Sequence, residues 1–303
     1  MGMIIVMFDA LGVDPFSFNE ILSLDTTIKL PSYMKSHDGT ELAYYQFTDS
    51  NCQDIVILYA GAGMYGNKAY QWVANQLYTK YQVGCYIFDL RGHGHSNGAR
   101  GDAPSEQAVW LDVADAVRLV RKNHNKSKIH LAGHSAGAGL IVNVLAQKTT
   151  PDIDSAILLA PYLGPNSGAI KTQNDANKSF IKKIRYWVYL VGGFISVKLV
   201  AHVQAVFFNY PEYILKNDPL IVDSYTYAMS CATTPYETKK LFDCINKPLA
   251  IYVGANDEQF IPEQILACKN YTQAIVDAKI IPDLGHLSIL LQAPKLIANY
   301  LVN

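Results

Sequence analysis

No two cysteines of this 303-residue chain stand in a C-x-x-C pair. The five present, Cys52, Cys85, Cys231, Cys244 and Cys268, are odd in number and widely scattered, a pattern that fits neither a disulfide framework nor a zinc site. Free thiols point to a reducing compartment, so a cytoplasmic location is expected. An excess of charge is missing too. Twenty-five basic against 26 acidic residues leave a formal charge of −1, and no nucleic acid or polyanion is expected as a partner. The opening residues, MGMIIVMFDALG, lack the basic flank of a signal peptide, and Asp9 breaks their apolar run, so secretion is not expected. Val6 stands where a myristoylation signal after Gly2 requires Ser or Thr. What the chain does have is apolar content, 50% hydrophobic residues against 17% charged, enough to bury a sizeable core.

That content is organised. From about residue 27, short apolar runs alternate with longer segments of helical period. Strands are expected at LAYYQF (42–47), DIVILYAGA (54–62), GCYIFDL (84–90), KIHLAG (128–133), SAILLAPYL (155–163), PLAIYVGA (248–255) and AKIIPDL (278–284). Several are apolar throughout, which means burial on both faces, as in parallel strands covered by helices. Helices are expected over 69–81, 105–124, 138–148, 262–270 and 288–302. Ser105 marks the start of the second, and Pro294 predicts a break or kink in the last. The alternation stops once, between Leu163 and Pro248, where an insert mostly helical in pattern intervenes before strands resume. The expected organisation is an α/β core over 1–163 and 248–303, with a helical cap inserted at 164–247.

The run KIHLAGHSAG (128–137) ends in a serine flanked by glycines two places before and after. A chain turning sharply from strand to helix leaves no room for side chains beside the turn, which only glycine satisfies. Gly133 and Gly137 would clear that space and hold Ser135 outward, the G-x-S-x-G elbow of serine hydrolases. The apolar strand before it and the helical run GAGLIVNVLAQK after it supply the setting this motif requires. A serine hydroxyl needs a base, and the base needs an acid to orient it. In the arrangement Ser, then acid, then His, the only C-terminal histidine is His286, just after AKIIPDL. Asp257, directly after the PLAIYVGA strand, is the favoured acid, with Glu258 and Asp283 as near rivals. Backbone donors for a developing oxyanion are expected at Ala136, the residue after the nucleophile, and at Ala62 in the loop YAGAGMYGNKAY. That loop lacks the G-x-x-x-x-G-K-[ST] form of a phosphate cradle, and no nucleotide cofactor is expected.

Together these residues resemble the monoacylglycerol lipase and lysophospholipase branch of the α/β-hydrolases, from about residue 33 onward. Four stretches carry the resemblance: HDGTELAYYQF (37–47), AGAGMYGNKAY (60–70), FDLRGHGHSNGARG (88–101) and GHSAGAG (133–139). The third is the most specific, since D-x-R-G-H-G-x-S after the fourth strand is characteristic of that family, and NDPLI (217–221) is similar to its cap region. The resemblance implies an α/β-hydrolase fold with nucleophile Ser135, acid Asp257, base His286 and oxyanion donors Ala62 and Ala136. One departure stands out: Ala60-Gly61 replaces the His-Gly with which the family usually opens the oxyanion loop.

His93 and His95 read as parts of a structural loop, because no third ligand of suitable spacing follows them, and no metal is expected. The stretch YWVYLVGGFISVKLVAHVQAVFF (186–208) is long enough to span a bilayer, but Lys198, His202, Gln204 and two adjacent glycines interrupt it. Two short cap helices joined near the glycines are expected instead, with one apolar face over the catalytic cleft and another available to a membrane surface. The expected substrate is a small acyl ester such as a monoacylglycerol or lysophospholipid. An amidase or peptidase of the same fold, or a non-catalytic protein that keeps the hydrolase shell, are the alternatives.

Overall fold

A segment with no polar face is stable only where both faces are covered, and the apolar runs are strands of that kind. The computed structural model describes residues 18–22, 24–172 and 179–302. The described residues begin with the short helix α1 (Phe18–Leu22), followed by strands β1 (Ser32–Lys35), β2 (Glu41–Phe47) and β3 (Asp54–Tyr59). Helix α2 (Lys68–Tyr81), β4 (Gly84–Phe88), α3 (Glu106–Asn123), β5 (Lys128–His134), α4 (Ala136–Leu145) and β6 (Ser155–Leu159) follow. The described strands of the core form an eight-stranded sheet in the order β1-β2-β4-β3-β5-β6-β10-β11, where β10 is Leu249–Gly254 and β11 is Val276–Ile281, with helix α9 (Pro262–Ala267) between those two. Strand pairs from β4 to β11 are parallel, while β2 is antiparallel to both neighbours. Every residue of β4, β6 and β10 is buried.

Because β4 and β5 lie on opposite sides of β3, the chain reverses direction across the sheet at β3. Crevices outside the carboxyl ends of strands at such a reversal are where open α/β sheets bind ligands. The loop after β3 and the elbow after β5 both open there.

Sequence signals placed most core elements to within a few residues. Ser105 caps α3 by accepting from the Ala108 amide at 3.2 Å. Pro294, in contrast, breaks nothing: α10 (Ile289–Val302) runs through it. Leu290, Ala293, Pro294 and Ile297 are all buried, and the helix packs on α2, so tertiary packing outweighs the one lost backbone bond.

Between β6 and β10 the chain carries β7 (Ile181–Ile184), α5 (Tyr186–Phe194), β8 (Gln204–Phe208), α6 (Glu212–Asn217), β9 (Ser224–Thr226), α7 (Tyr227–Thr233) and α8 (Thr238–Cys244). Strands β7, β8 and β9 form a small antiparallel sheet. The pair of helices expected over 186–208 is therefore corrected. Only α5 is an α-helix; a single 3-10 turn at Val197–Leu199 leads into β8, which is held by partners on both sides. Among the described residues, no helix is long and apolar enough to cross a membrane.

Candidate active site

Ser135 sits between β5 and α4 with φ 52° and ψ −117°, a conformation L-residues rarely adopt. Its flanking glycines make this possible. A Cβ on Gly133 would fall 2.5 Å from backbone atoms of Gly137 and Ala138, and one on Gly137 would fall 2.5 Å from the carbonyls of Tyr59 and Ala60. The elbow therefore packs backbone against backbone, and it presents Ser135 Oγ above the end of the sheet.

His286 lies in the loop between β11 and α10, and its Nε2 is 3.0 Å from Ser135 Oγ. Its Nδ1 is 2.9 Å from Asp257 Oδ2. Asp257, fully buried after β10, accepts at Oδ1 from the amides of Gln259 and Phe260, both at 2.8 Å. The rival acids are placed differently: Glu258 accepts from the backbone amide of His286 at 2.7 Å, and Asp283 occupies a turn with φ 60°. Burial disfavours a charged Asp257, but the imidazole and the two amides hold its carboxyl below the ordinary range. Burial likewise works against a charged His286, and the Asp257 carboxylate overrides it, leaving the imidazole above its ordinary value. The pair is thus arranged to stabilise an imidazolium.

Ala62 and Ala136 line one cavity together with Ser135 and His286. Ala136 opens α4, where helix amides have no intrahelical partner. The cavity measures about 660 Å³ and runs from the serine under the insert, between residues such as Tyr162, Phe180, Ile184, Val206, Phe208 and Phe260. A second pocket of about 30 Å³ lies beside Ser135 and His286, walled by Phe18, Tyr70, Phe180 and Tyr210.

The FDLRGHGHS stretch supports the site from behind. Asp89 accepts from the amides of Gly66 (2.6 Å) and His95 (3.0 Å), and burial lifts its carboxyl to about 6. Arg91 clamps Asp112 of α3 through Nε (2.6 Å) and Nη2 (2.7 Å) and reaches Asp38 in the β1–β2 turn at 2.8 Å. His93 and His95 bond Tyr225 and Tyr45 respectively. The other histidines are engaged away from Ser135 Oγ, His130 with Ser155 and Asp54, His202 with Asp102. Among the described residues, His37, Asp112 and Asp115 alone bring three potential metal ligands within 4.8 Å of one another. Since Arg91 already occupies both Asp112 oxygens, the group reads as an ion-pair network. Tyr70, Tyr210 and Tyr225, which surround the Ala62 loop, were not legible as site residues. The last two lie in the insert, far from any motif, and only Tyr70, within AGAGMYGNKAY, had a local signal.

A family model described as serine aminopeptidase, S33 matches residues 50–289. No curated protein matches the sequence. Among solved structures, the α/β hydrolase GrgF from Penicillium sp. sh18 is similar at 18% identity, over 91% of this chain and 97% of that one, with a TM-score of 0.66. A soluble variant of monoglyceride lipase from Saccharomyces cerevisiae, in complex with a substrate analog, is similar at 17% identity, over 92% and 96%, with a TM-score of 0.67. The monoacylglycerol lipase of Paleococcus ferrophilus is similar at 18% identity, over 86% and 98%, with a TM-score of 0.59. At these identities the likeness is one of fold, and it is the α/β-hydrolase fold.

Proposed function

Because the chain belongs to the serine aminopeptidase S33 family of α/β-hydrolases, we propose that it is a serine hydrolase acting on carboxylic esters of mono-acyl lipids, monoacylglycerols or lysophospholipids. Ser135 Oγ attacks the ester carbonyl as His286 Nε2 takes its proton, and Asp257 holds the imidazolium through Nδ1–H. The tetrahedral oxyanion sits between the amides of Ala62 and Ala136. His286 then returns the proton to the departing alcohol, leaving an acyl-enzyme. Water, deprotonated by the same imidazole, releases the fatty acid and restores the serine. The insert at 164–247 serves as the cap that roofs the acyl chain.

The observation that carries this reading is the cavity of about 660 Å³ opening on Ser135, walled largely by aromatic and aliphatic side chains. Such a lining favours an alkyl chain. It also argues against the peptidase alternative: among the described residues no Asp or Glu lines the cavity, while Lys171, Lys182 and Lys183 do, so nothing there would hold a peptide's ammonium terminus. The cap also presents an exposed apolar face, with Leu190, Phe194 and Leu199 at 58%, 86% and 67% exposure and Lys198 among them. Anionic bilayer surface is the occupant this combination suits, which gives a peripheral membrane contact. The substrate test is a panel of monoacylglycerols from short to long chain, set beside matched fatty-acid amides. Long-chain esters should give the highest kcat/KM, and Ser135→Ala should abolish it. Faster cleavage of amides or N-terminal residues would replace this reading.

A further inference from the structure

The loop Gly61–Gly63 presents six backbone polar atoms, and five of them are engaged. The Gly61 amide donates to Tyr70 Oη at 2.8 Å, the Gly63 amide donates to Tyr225 Oη at 2.7 Å, and Tyr210 Oη donates to the Ala62 carbonyl. The Gly61 carbonyl accepts from Met64 (3.0 Å) and the Gly63 carbonyl from Val222 (2.9 Å). Only the Ala62 amide has no acceptor among the described residues, and Ala62 lines the cavity beside Ser135. All three tyrosines are buried, one from α2 and two from the insert.

Hydrogen-bond direction extends the network. A tyrosine hydroxyl that accepts from an amide must spend its own proton elsewhere. For Tyr70 the acceptor is His134 Nδ1, and for Tyr225 it is His93 Nε2, both at 2.9 Å. The two tautomers follow: His134 carries its proton on Nε2 and donates to the His286 carbonyl at 2.9 Å, while His93 donates from Nδ1 to the Arg91 carbonyl at 2.9 Å. Burial keeps both rings neutral, lowering His134 to about 3 and His93 to about 4. The path Gly61, Tyr70, His134, His286 thus joins the backbone of one catalytic loop to that of the other.

We propose that Tyr70, Tyr210 and Tyr225 are positioning residues that fix the direction of the Ala62 N–H, and that His134 couples this loop to the backbone of His286. The proposal rests on the reading of Ser135 as nucleophile and Ala62 as oxyanion donor. An oxyanion donor works only within a narrow range of distance and angle about the charge that develops. Misdirecting it weakens the transition state and leaves ground-state binding alone, so the loss belongs in kcat and not in KM.

The test measures the second-order rate at which an alkyl fluorophosphonate labels Ser135. In that step the Ser135 Oγ–P bond forms, the P–F bond breaks, fluoride leaves and the serine proton passes to His286 Nε2. Negative charge meanwhile builds on the phosphonyl oxygen in the oxyanion site. Tyr70→Phe and Tyr225→Phe, made separately, should each slow labelling by about 10–100-fold, a fraction of the effect of deleting a donor outright. Binding of palmitate, a probe of the acyl cavity, should stay within about twofold. Tyr86→Phe is the control: it removes a tyrosine–histidine bond of the same kind, to His124 at 3.0 Å, remote from the loop, and should label at the wild-type rate. Wild-type rates in both site variants would overturn the proposal while leaving the nucleophile in place, and so would an equal loss in Tyr86→Phe. Absence of labelling in the wild type would remove the underlying reading along with it.

Discussion

At the scale of single residues, the decisive contact is the 2.9 Å approach of Asp257 Oδ2 to His286 Nδ1. The carboxylate holds the imidazole above its ordinary value against the pull of burial. A general base must be neutral to act, so kcat/KM should rise with pH through the folded-state value of His286, with its midpoint above that of a free histidine. Asp257→Asn removes the charge that raises it. Ester hydrolysis should fall by about 10³–10⁴-fold, and the midpoint of the remaining activity should move to lower pH. A pH–rate profile of the variant checks both, and an unmoved midpoint would show that another group sets the imidazole. That Ser135, Asp257 and His286 come together was legible because elbow geometry and strand-end position leave marks in local sequence. Position directly after a strand favoured Asp257 over Glu258, but that the first meets the ring and the second the His286 amide is a difference between neighbours that spacing does not show.

At the scale of elements, core strands and helices were readable because burial on both faces, or on one helical stripe, is written in hydrophobic period. The insert was less so. Strand β8 exists because β7 and β9, distant in sequence, supply its backbone partners, and an apolar run of that length fits helix and strand alike. Helix α5 remains exposed along Leu190 and Phe194, and the following turn exposes Leu199. Lys182 and Lys183, by contrast, lie on the cavity wall, and Arg185 stacks over Phe207 at 4.8 Å, so none of these cations isolates membrane contact. The informative variant is Leu190→Ser, Phe194→Ser and Leu199→Ser combined. It should lose about 3 kcal/mol or more of binding to anionic vesicles in a sedimentation assay, at roughly 1.5 kcal/mol per fully buried side chain less partial insertion. Turnover of a short soluble ester should be unchanged. Equal losses in both assays would assign α5 a structural role.

At the scale of the whole molecule, Arg91 joins the β1–β2 turn, helix α3 and the loop behind the site in one ion-pair group, in which Arg91 and Asp112 are buried and Asp38 is exposed. Its removal would strand Asp112, which is buried beneath it. Arg91→Ala should therefore cost about 3–5 kcal/mol of unfolding free energy, measured by urea denaturation, where a surface arginine would cost a fraction of that. A change below about 1 kcal/mol would mean that the network is not what fastens these pieces together.

The same frame brings Ala62 after β3, Ser135 after β5, Asp257 after β10 and His286 after β11 to one end of the sheet. The central claim is that this assembly makes Ser135 a nucleophile. Intact-protein mass spectrometry after exposure to a fluorophosphonate tests it most directly. The account predicts one phosphonyl adduct per wild-type chain, mapped to Ser135 and absent from Ser135→Ala; an unmodified wild type, or an adduct that survives the substitution, would contradict it.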